Sequence, residues 1–97
     1  MRVCFTLRVR EECIEQYRER HRDIWPEMRD ALERSGRSNY SLFLADNGTL
    51  IGYYETASID ESAAFLSSQT VVARWNEFMA PLFLSPVPER VPEVFRL

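Results

Sequence analysis

The segment from Tyr17 to Glu27 (YRERHRDIWPE) contains the side chain best suited to move a proton near neutral pH. His21 is the only histidine in the 97 residues, and the unperturbed pKa of imidazole is about 6.5. Tyr17 precedes it by four residues, a spacing that puts the two rings on one face of a helix. Trp25 follows four residues later, so His21 lies among aromatic groups. The pattern indicates general acid–base chemistry.

Composition excludes several other kinds of chemistry. All 12 basic residues are arginines, and without lysine neither Schiff-base catalysis nor a lysine-dependent phosphate loop is available. The two cysteines and the single histidine do not supply the four closely spaced ligands of a structural zinc site. The three glycines are too scattered for a nucleotide-binding loop. We therefore expect no metal, no cofactor bound through lysine and no nucleotide-binding loop.

Length and charge indicate one soluble domain covering residues 1–97. The net charge of −3 offers no positive field for a phosphate backbone, so no nucleic-acid partner is expected. No apolar run approaches the roughly 18 residues of a membrane span, and the start MRVCFTLRVR is not a secretory signal. Cys4 and Cys13 are expected to be reduced thiols. These features predict a cytoplasmic protein without a membrane partner.

The first part of the chain predicts a strand followed by a helix. Residues 2–10 alternate between apolar and polar side chains, as in a half-buried strand. From Glu11 the apolar residues recur every three or four positions, which predicts an amphipathic helix that ends at Gly36. Pro26 lacks the N–H of a helix interior, so we expect the helix to kink or restart near residues 23–25.

The middle of the chain predicts a hairpin and two more helices. Residues 39–45 and 49–56 alternate again, and Asp-Asn-Gly between them is a turn sequence. Ser58 and Glu61 have the spacing of a capping box that opens a short helix. A helical stripe over residues 71–82 follows and is broken near its proline.

Prolines at positions 86, 88 and 92 predict an extended, unpaired connection after the last helix. Residues 93–97 are then expected to form a short terminal strand. The resulting order is strand, helix, strand, strand, helix, strand. This order predicts an α+β protein with the ferredoxin-like βαββαβ arrangement.

In such a fold the helices cover one face of the sheet and leave the other face open. By one register that open face carries Cys4, Thr6, Phe43, Ile51 and Tyr53, and by the other register it carries the larger set of alternating residues. In both cases the face is too apolar to be left in water. A small domain also buries only about 60–70% of the surface of its unfolded chain. We therefore expect a homodimer that covers this face.

Four side chains are candidates for lining one concavity in this fold: Tyr17, His21, Tyr40 and Trp75. Aromatic planes with hydroxyl and indole N–H groups are suited to a sugar, whose C–H faces stack while its hydroxyls form hydrogen bonds. Each residue also has a purely structural explanation, as a hydrogen-bonded histidine, as core aromatics at helical spacing, or as a strand former. These residues alone predict a pocket around His21 without deciding its reaction.

Four segments of the chain resemble the L-rhamnose mutarotase family: RHRDIWPEM, SNYSLFL, RWNEFM and PEVFRL. They occur in the same order from about Val3 to the C-terminus. The resemblance implies a dimeric α/β barrel that interconverts the α and β anomers of L-rhamnose, or a related 6-deoxy sugar, without cofactor or metal. It further implies that His21 is the proton donor and that Tyr17, Tyr40 and Trp75 hold the sugar.

The chain departs from the family pattern at two positions. The family often has a second aromatic residue after the tryptophan, where this chain has Asn76, which can hydrogen-bond a sugar hydroxyl but cannot stack on the ring. Arg96 also stands where an aromatic residue is typical. Asn76 is therefore included among the predicted sugar-binding residues, and the preference among 6-deoxy sugars is left open.

The group that moves the second proton is also left open among Tyr17, Tyr40, Glu55 and a water molecule. Two other functions are consistent with the same fold, because fold alone does not determine function. One is a cofactor-free monooxygenase-like enzyme on a dimeric barrel. The other is a non-catalytic sugar-binding domain in which His21 only orients the ligand.

Overall fold

Four strands and four helices make up the protein, and the computed structural model describes residues 1–97. In chain order they are β1 (Arg2–Val9), α1 (Ile14–Arg22), α2 (Pro26–Arg34), β2 (Arg37–Leu44), β3 (Thr49–Thr56), α3 (Ile59–Ser67), α4 (Thr70–Met79) and β4 (Phe83–Val91). The strands form one antiparallel sheet in the order β2-β3-β1-β4. This is the predicted ferredoxin-like arrangement, with a pair of short helices in each crossover.

The predicted restart of the first helical region is confirmed. Trp25 precedes Pro26 in an extended conformation, with ψ 131°, because the proline ring disfavours a helical residue before it. Pro26 itself occupies the first turn of α2, where its missing N–H costs nothing. Gly36 follows the end of α2 with φ 85°, as expected of a glycine beyond a helix C-terminus.

The hairpin and the start of α3 also match the predictions. Gly48 has φ 90° in the turn between β2 and β3, and a Cβ there would lie 2.3 Å from the carbonyl oxygen of Val9. Only glycine fits that turn. At the start of α3 the backbone N–H of Glu61 donates to Ser58 Oγ at 3.1 Å, which is the Ser58 half of the capping box.

The prediction for the C-terminal region was wrong. Residues 83–91 form β4, which pairs with β1, whereas residues 93–97 form no strand. β4 is an edge strand, so its residues need ladder hydrogen bonds on one side only. Pro86 and Pro88 lie where the register with β1 shifts between Thr6 and Arg8, and a bulge there accommodates them.

The helices cover one face of the sheet and leave the other exposed. Ten buried residues from both layers form the main core: Val9, Tyr17, Met28, Ala31, Leu50, Leu66, Val72, Trp75, Met79 and Leu82. The other face carries the set predicted by the first register, and its Phe43 is 61% exposed. None of the helices combines the length and hydrophobicity needed to span a bilayer.

Candidate active site

A cavity of about 1090 Å³ lies between the helices and the face of the sheet that they cover. Its lining is mainly apolar, with 19 hydrophobic residues among 26. The five predicted site residues all border it: Tyr17, His21, Tyr40, Trp75 and Asn76. No aspartate or glutamate does. Its charged lining residues are Arg37 and Arg90, and the groups that can transfer a proton are the imidazole of His21 and the phenols of Tyr17, Tyr40 and Tyr54. The mainly apolar lining with a few polar groups suits a ligand that has an apolar face and hydroxyl groups.

One wall of the cavity is an aromatic cluster around His21. The rings of Tyr17 and His21 stack with centroids 4.3 Å apart, as their spacing on α1 predicts. Trp75 of α4 meets His21 edge to face at 5.5 Å. Trp25, at the break between α1 and α2, meets Trp75 edge to face at 5.0 Å. The break thus turns Trp25 back onto Trp75, and the rings of Tyr17 and Trp75 contact the imidazole on two sides.

A backbone hydrogen bond determines which nitrogen of His21 is available. Nδ1 lies 3.3 Å from the carbonyl oxygen of Tyr17. A carbonyl oxygen only accepts hydrogen bonds, so Nδ1 carries the proton in the neutral ring and Nε2 has a free lone pair. Burial lowers the pKa of His21, and the bond to the Tyr17 carbonyl opposes that shift. The imidazole is therefore a neutral base at neutral pH.

The two candidate phenols differ in their surroundings. Tyr17 is 5% exposed, and burial raises its pKa, with a smaller contribution from Tyr40. Tyr40 is half-buried and stacks on Tyr54 with centroids 5.7 Å apart and planes 11° from parallel. Burial also raises the pKa of Tyr40, but the nearby charge of Arg37 opposes the shift. Both phenols stay protonated near neutral pH and serve as hydrogen-bond donors.

Trp75 and Tyr17 are core residues and cavity-lining residues at the same time, so the structural and the functional explanations both apply. Trp75 is 6% exposed and, like Tyr17, belongs to the main core, yet one side of each ring borders the cavity. Asn76, the next residue on α4, is exposed and lies at the cavity edge. Its amide group has no hydrogen-bond partner in the chain and is free to bind a ligand hydroxyl.

Two residues lie elsewhere than the sequence pattern indicated. Glu55 was a candidate for the second proton transfer, but it lies on the open face of the sheet, where it accepts hydrogen bonds from Tyr53 Oη at 2.7 Å and Asn39 Nδ2 at 3.1 Å. It cannot reach the cavity. Arg37 lines the cavity, although the sequence did not indicate it. The predicted strand covers only residues 39–45, and two strand residues three positions apart lie on opposite faces unless the strand has a bulge.

Sequence comparison places the chain among known proteins. A family model described as L-rhamnose mutarotase matches residues 2–97. The L-rhamnose mutarotase of Bacillus subtilis is 39% identical over 95 residues, covering 92% of this chain and 90% of that protein. The L-rhamnose mutarotase of Listeria monocytogenes is 35% identical over 91 residues, covering 86% of this chain and 85% of that protein.

Comparison of structures agrees with the sequence. The crystal structure of L-rhamnose mutarotase from Formosa agariphila superposes with a TM-score of 0.86 at 28% identity, covering 100% of this chain and 98% of that one. A putative antibiotic biosynthesis monooxygenase from Nitrosomonas europaea superposes with a TM-score of 0.69 at 14% identity, covering 98% of this chain and all of that one. The second match shows a shared fold and nothing further. With a family match over residues 2–97, the chain belongs to the L-rhamnose mutarotase family.

Proposed function

We propose that this protein interconverts the α and β anomers of L-rhamnose by proton transfer at His21, without cofactor or metal. The observation that carries the proposal is the free Nε2 of His21 at the wall of an aromatic cavity, in a chain of this family. Mutarotation needs only that a proton leaves the anomeric hydroxyl and another reaches the ring oxygen. A positioned imidazole is suited to that exchange near neutral pH.

The sugar is bound by side chains from three elements. The ring of Trp75 offers an apolar surface for the C–H face of the sugar. Tyr17, Tyr40 and Asn76 offer hydroxyl and amide groups for its hydroxyls. The absence of a lining carboxylate and the many apolar residues favour a deoxy sugar, whose methyl group needs an apolar contact.

We infer that the active form is a homodimer in which a second copy covers the open face of the sheet. Phe43, Ile51 and Val91 are exposed on that face. The exposed C-terminal residues Val94 and Phe95 add apolar area beyond β4. The two free cysteines are consistent with a reducing, cytoplasmic location, which we also propose.

The proposal is tested by NMR exchange between the anomeric protons of α- and β-L-rhamnose. The wild-type protein should increase the exchange rate in proportion to its concentration. His21→Ala should lose most of the acceleration, on the order of a hundredfold or more, because the base is removed. Arg29→Ala is the matched control, since Arg29 is an exposed residue of α2 away from the cavity. Unchanged exchange with wild-type protein would refute the proposed activity.

Two further measurements separate the two other functions. A non-catalytic sugar-binding domain gives saturable binding of L-rhamnose, by titration calorimetry, without faster exchange. A monooxygenase-like enzyme consumes oxygen with an aromatic substrate, which an oxygen electrode detects. The similarity to a monooxygenase extends to the fold alone, and the family match favours the mutarotase.

A further inference from the structure

The second strand has a β-bulge where it borders the cavity. Between its pairs with Glu55 and Tyr53, β2 advances three residues while β3 advances two. Asn39 lies in this bulge and has φ 50°, a left-handed conformation that asparagine tolerates. The bulge changes the alternation of side chains, so that Arg37 and Tyr40, three positions apart, both face the cavity. The backbone thus brings a guanidinium group beside a predicted sugar-binding phenol.

Residues from two other elements hold the Arg37 guanidinium in one orientation. Its Nε donates to Ser62 Oγ of α3 at 3.2 Å, and its Cζ lies 4.1 Å from the ring centroid of Tyr54 on β3. Ser62 is 1% exposed, and its own hydroxyl donates to the carbonyl oxygen of Ile59 at 3.0 Å. Because these contacts use Nε and the face of the half-buried guanidinium, its terminal nitrogens remain available to groups in the cavity.

The guanidinium acts on the Tyr40 hydroxyl in two ways. Its charge favours the phenolate and opposes the effect of burial on the Tyr40 pKa. A guanidinium has donors only, so Tyr40 cannot donate its proton to Arg37 and keeps it for another acceptor. The other titratable groups facing Tyr40 are Tyr54 on β3 and Tyr17 on α1, and neither supplies a positive charge. Arg90 on β4 and His21 on α1 also line the cavity, but Arg37 is the cation that acts on the Tyr40 pKa.

We propose that Arg37 is a positioning residue that makes Tyr40 the second proton-transfer group, working across the cavity from His21. The inference rests on the proposed mutarotase function and deepens it. Glu55 lies on the other face of the sheet, and no carboxylate lines the cavity. The side chains that remain to move the second proton are therefore the cavity phenols. Of these, Tyr54 meets Arg37 through its ring face at 4.1 Å, whereas Tyr40 lies on the same strand and the same face as Arg37 and its ionisation is favoured by that charge.

The two groups account for every proton in the reaction. During ring opening His21 Nε2 removes the proton of the anomeric hydroxyl, and the bond between the anomeric carbon and the ring oxygen breaks as the carbonyl forms. The ring oxygen keeps the bonding electron pair and takes the proton of Tyr40. Arg37 stabilises the resulting phenolate. After the aldehyde rotates, closure on its other face returns the proton of the former ring oxygen to Tyr40. The imidazolium of His21 gives its proton to the new anomeric hydroxyl, and nothing is oxidised or reduced.

The test compares Arg37→Met, Arg37→Lys and Tyr40→Phe with the control Arg29→Met, by anomer exchange over a range of L-rhamnose concentration and pH. Arg37→Met should lower kcat tenfold or more and leave KM within a few-fold. The alkaline limb of its kcat profile should move to higher pH, because the phenol has lost the charge that favoured its ionised form. Arg37→Lys should restore part of kcat, and Tyr40→Phe should lower kcat at least as much as Arg37→Met.

Each outcome decides the proposal. If wild-type protein does not accelerate exchange, the proposed function fails and this inference fails with it. If wild-type protein is active and Arg37→Met keeps its kcat and its alkaline limb, the inference alone is overturned. It is also overturned if Tyr40→Phe is fully active, even where Arg37→Met loses activity through poor folding. Melting curves of all four variants separate loss of fold from loss of chemistry.

Discussion

At the residue scale, His21 has the properties of a base whose protonation is controlled by burial. The rings of Tyr17 and Trp75 exclude water from two sides, which disfavours the charged imidazolium. The carbonyl of Tyr17 holds the ring by Nδ1 and fixes the tautomer. The same contacts that partly bury His21 therefore leave its Nε2 as the nitrogen free to accept a proton.

We predict that His21 titrates below its ordinary value of about 6.5. As the only histidine, its Cε1 proton gives a single histidine signal in NMR, and the midpoint of its pH titration is measured directly. The reference is the same signal in urea-unfolded protein. A midpoint in the folded protein equal to or above that reference would contradict the role of burial. The acid limb of kcat/KM should follow the folded midpoint, since it reports the free enzyme.

The lowered pKa also predicts how stability depends on pH. Between the folded and unfolded midpoints the unfolded chain binds more protons than the folded protein, so the free energy of unfolding rises with pH. The contribution of His21 is complete above about pH 6.5 and is lost as pH falls through the folded midpoint. In urea titrations, His21→Ala should remove this pH dependence from the range just below about pH 6.5.

At the element scale, irregular points in the helices and strands position the site. The break at Trp25 and Pro26 turns an aromatic ring onto the cluster around His21, and the bulge at Asn39 brings Arg37 to the cavity face. Gly52 in β3 is a third such point, because the ring of Phe5 on β1 occupies the space where a side chain would begin. A Cβ at Gly52 would lie 2.1 Å from the Phe5 ring.

We predict that Gly52→Ala lowers the free energy of unfolding by about 1–3 kcal/mol, the usual cost of overpacking a core. Phe5 lines the cavity, so its displaced ring should also weaken L-rhamnose binding. Urea unfolding and the KM for exchange measure the two effects. The double variant Phe5→Leu with Gly52→Ala should recover part of the loss, because leucine lacks the ring atoms that clash.

Gly36→Ala is the control for this prediction. Gly36 has φ 85° and no atoms within 4 Å of a Cβ, so alanine there strains the backbone without displacing a neighbour. Its cost should be on the order of 1 kcal/mol with an unchanged KM. An equal rise in KM for both alanine variants would show that the Phe5 ring is not the cause.

At the scale of the whole molecule, the two faces of the sheet have different roles. The covered face forms the core and the cavity, while the open face presents apolar side chains without a cover. Phe43 lies near the hairpin end of that face and is 61% exposed. Apolar groups arranged in this way are typical of an interface between subunits.

We predict that wild-type protein sediments as a dimer and that Phe43→Asp sediments as a monomer, because two copies of the variant would bury opposed carboxylates. Analytical ultracentrifugation at several concentrations measures the change. Ala64→Asp is the control, since Ala64 is an exposed residue of α3 on the helical side. A monomeric wild type, or a dimeric Phe43→Asp, would rule out the open face as the interface.

Local patterns in the sequence were enough to predict much of the fold and part of the site. Alternation and helical periodicity predicted β1, the hairpin and the helical regions, and their order predicted the ferredoxin-like topology. The pairing of Tyr17 with His21 follows from four residues on one helix and needs no tertiary contact. These features depend on residues that are close to one another in sequence, so the sequence alone is enough to predict them.

What only the tertiary structure decided depends on pairing between distant residues. β4 forms through two prolines because it lies at an edge of the sheet, and edge position is a property of the assembled sheet. The register of β2 on β3 determines that Glu55 lies on the open face and that Arg37 lies beside Tyr40. The sequence by itself identified His21 as the candidate proton-transfer residue, because it is the only histidine, and strand register determined which residues line the cavity around it.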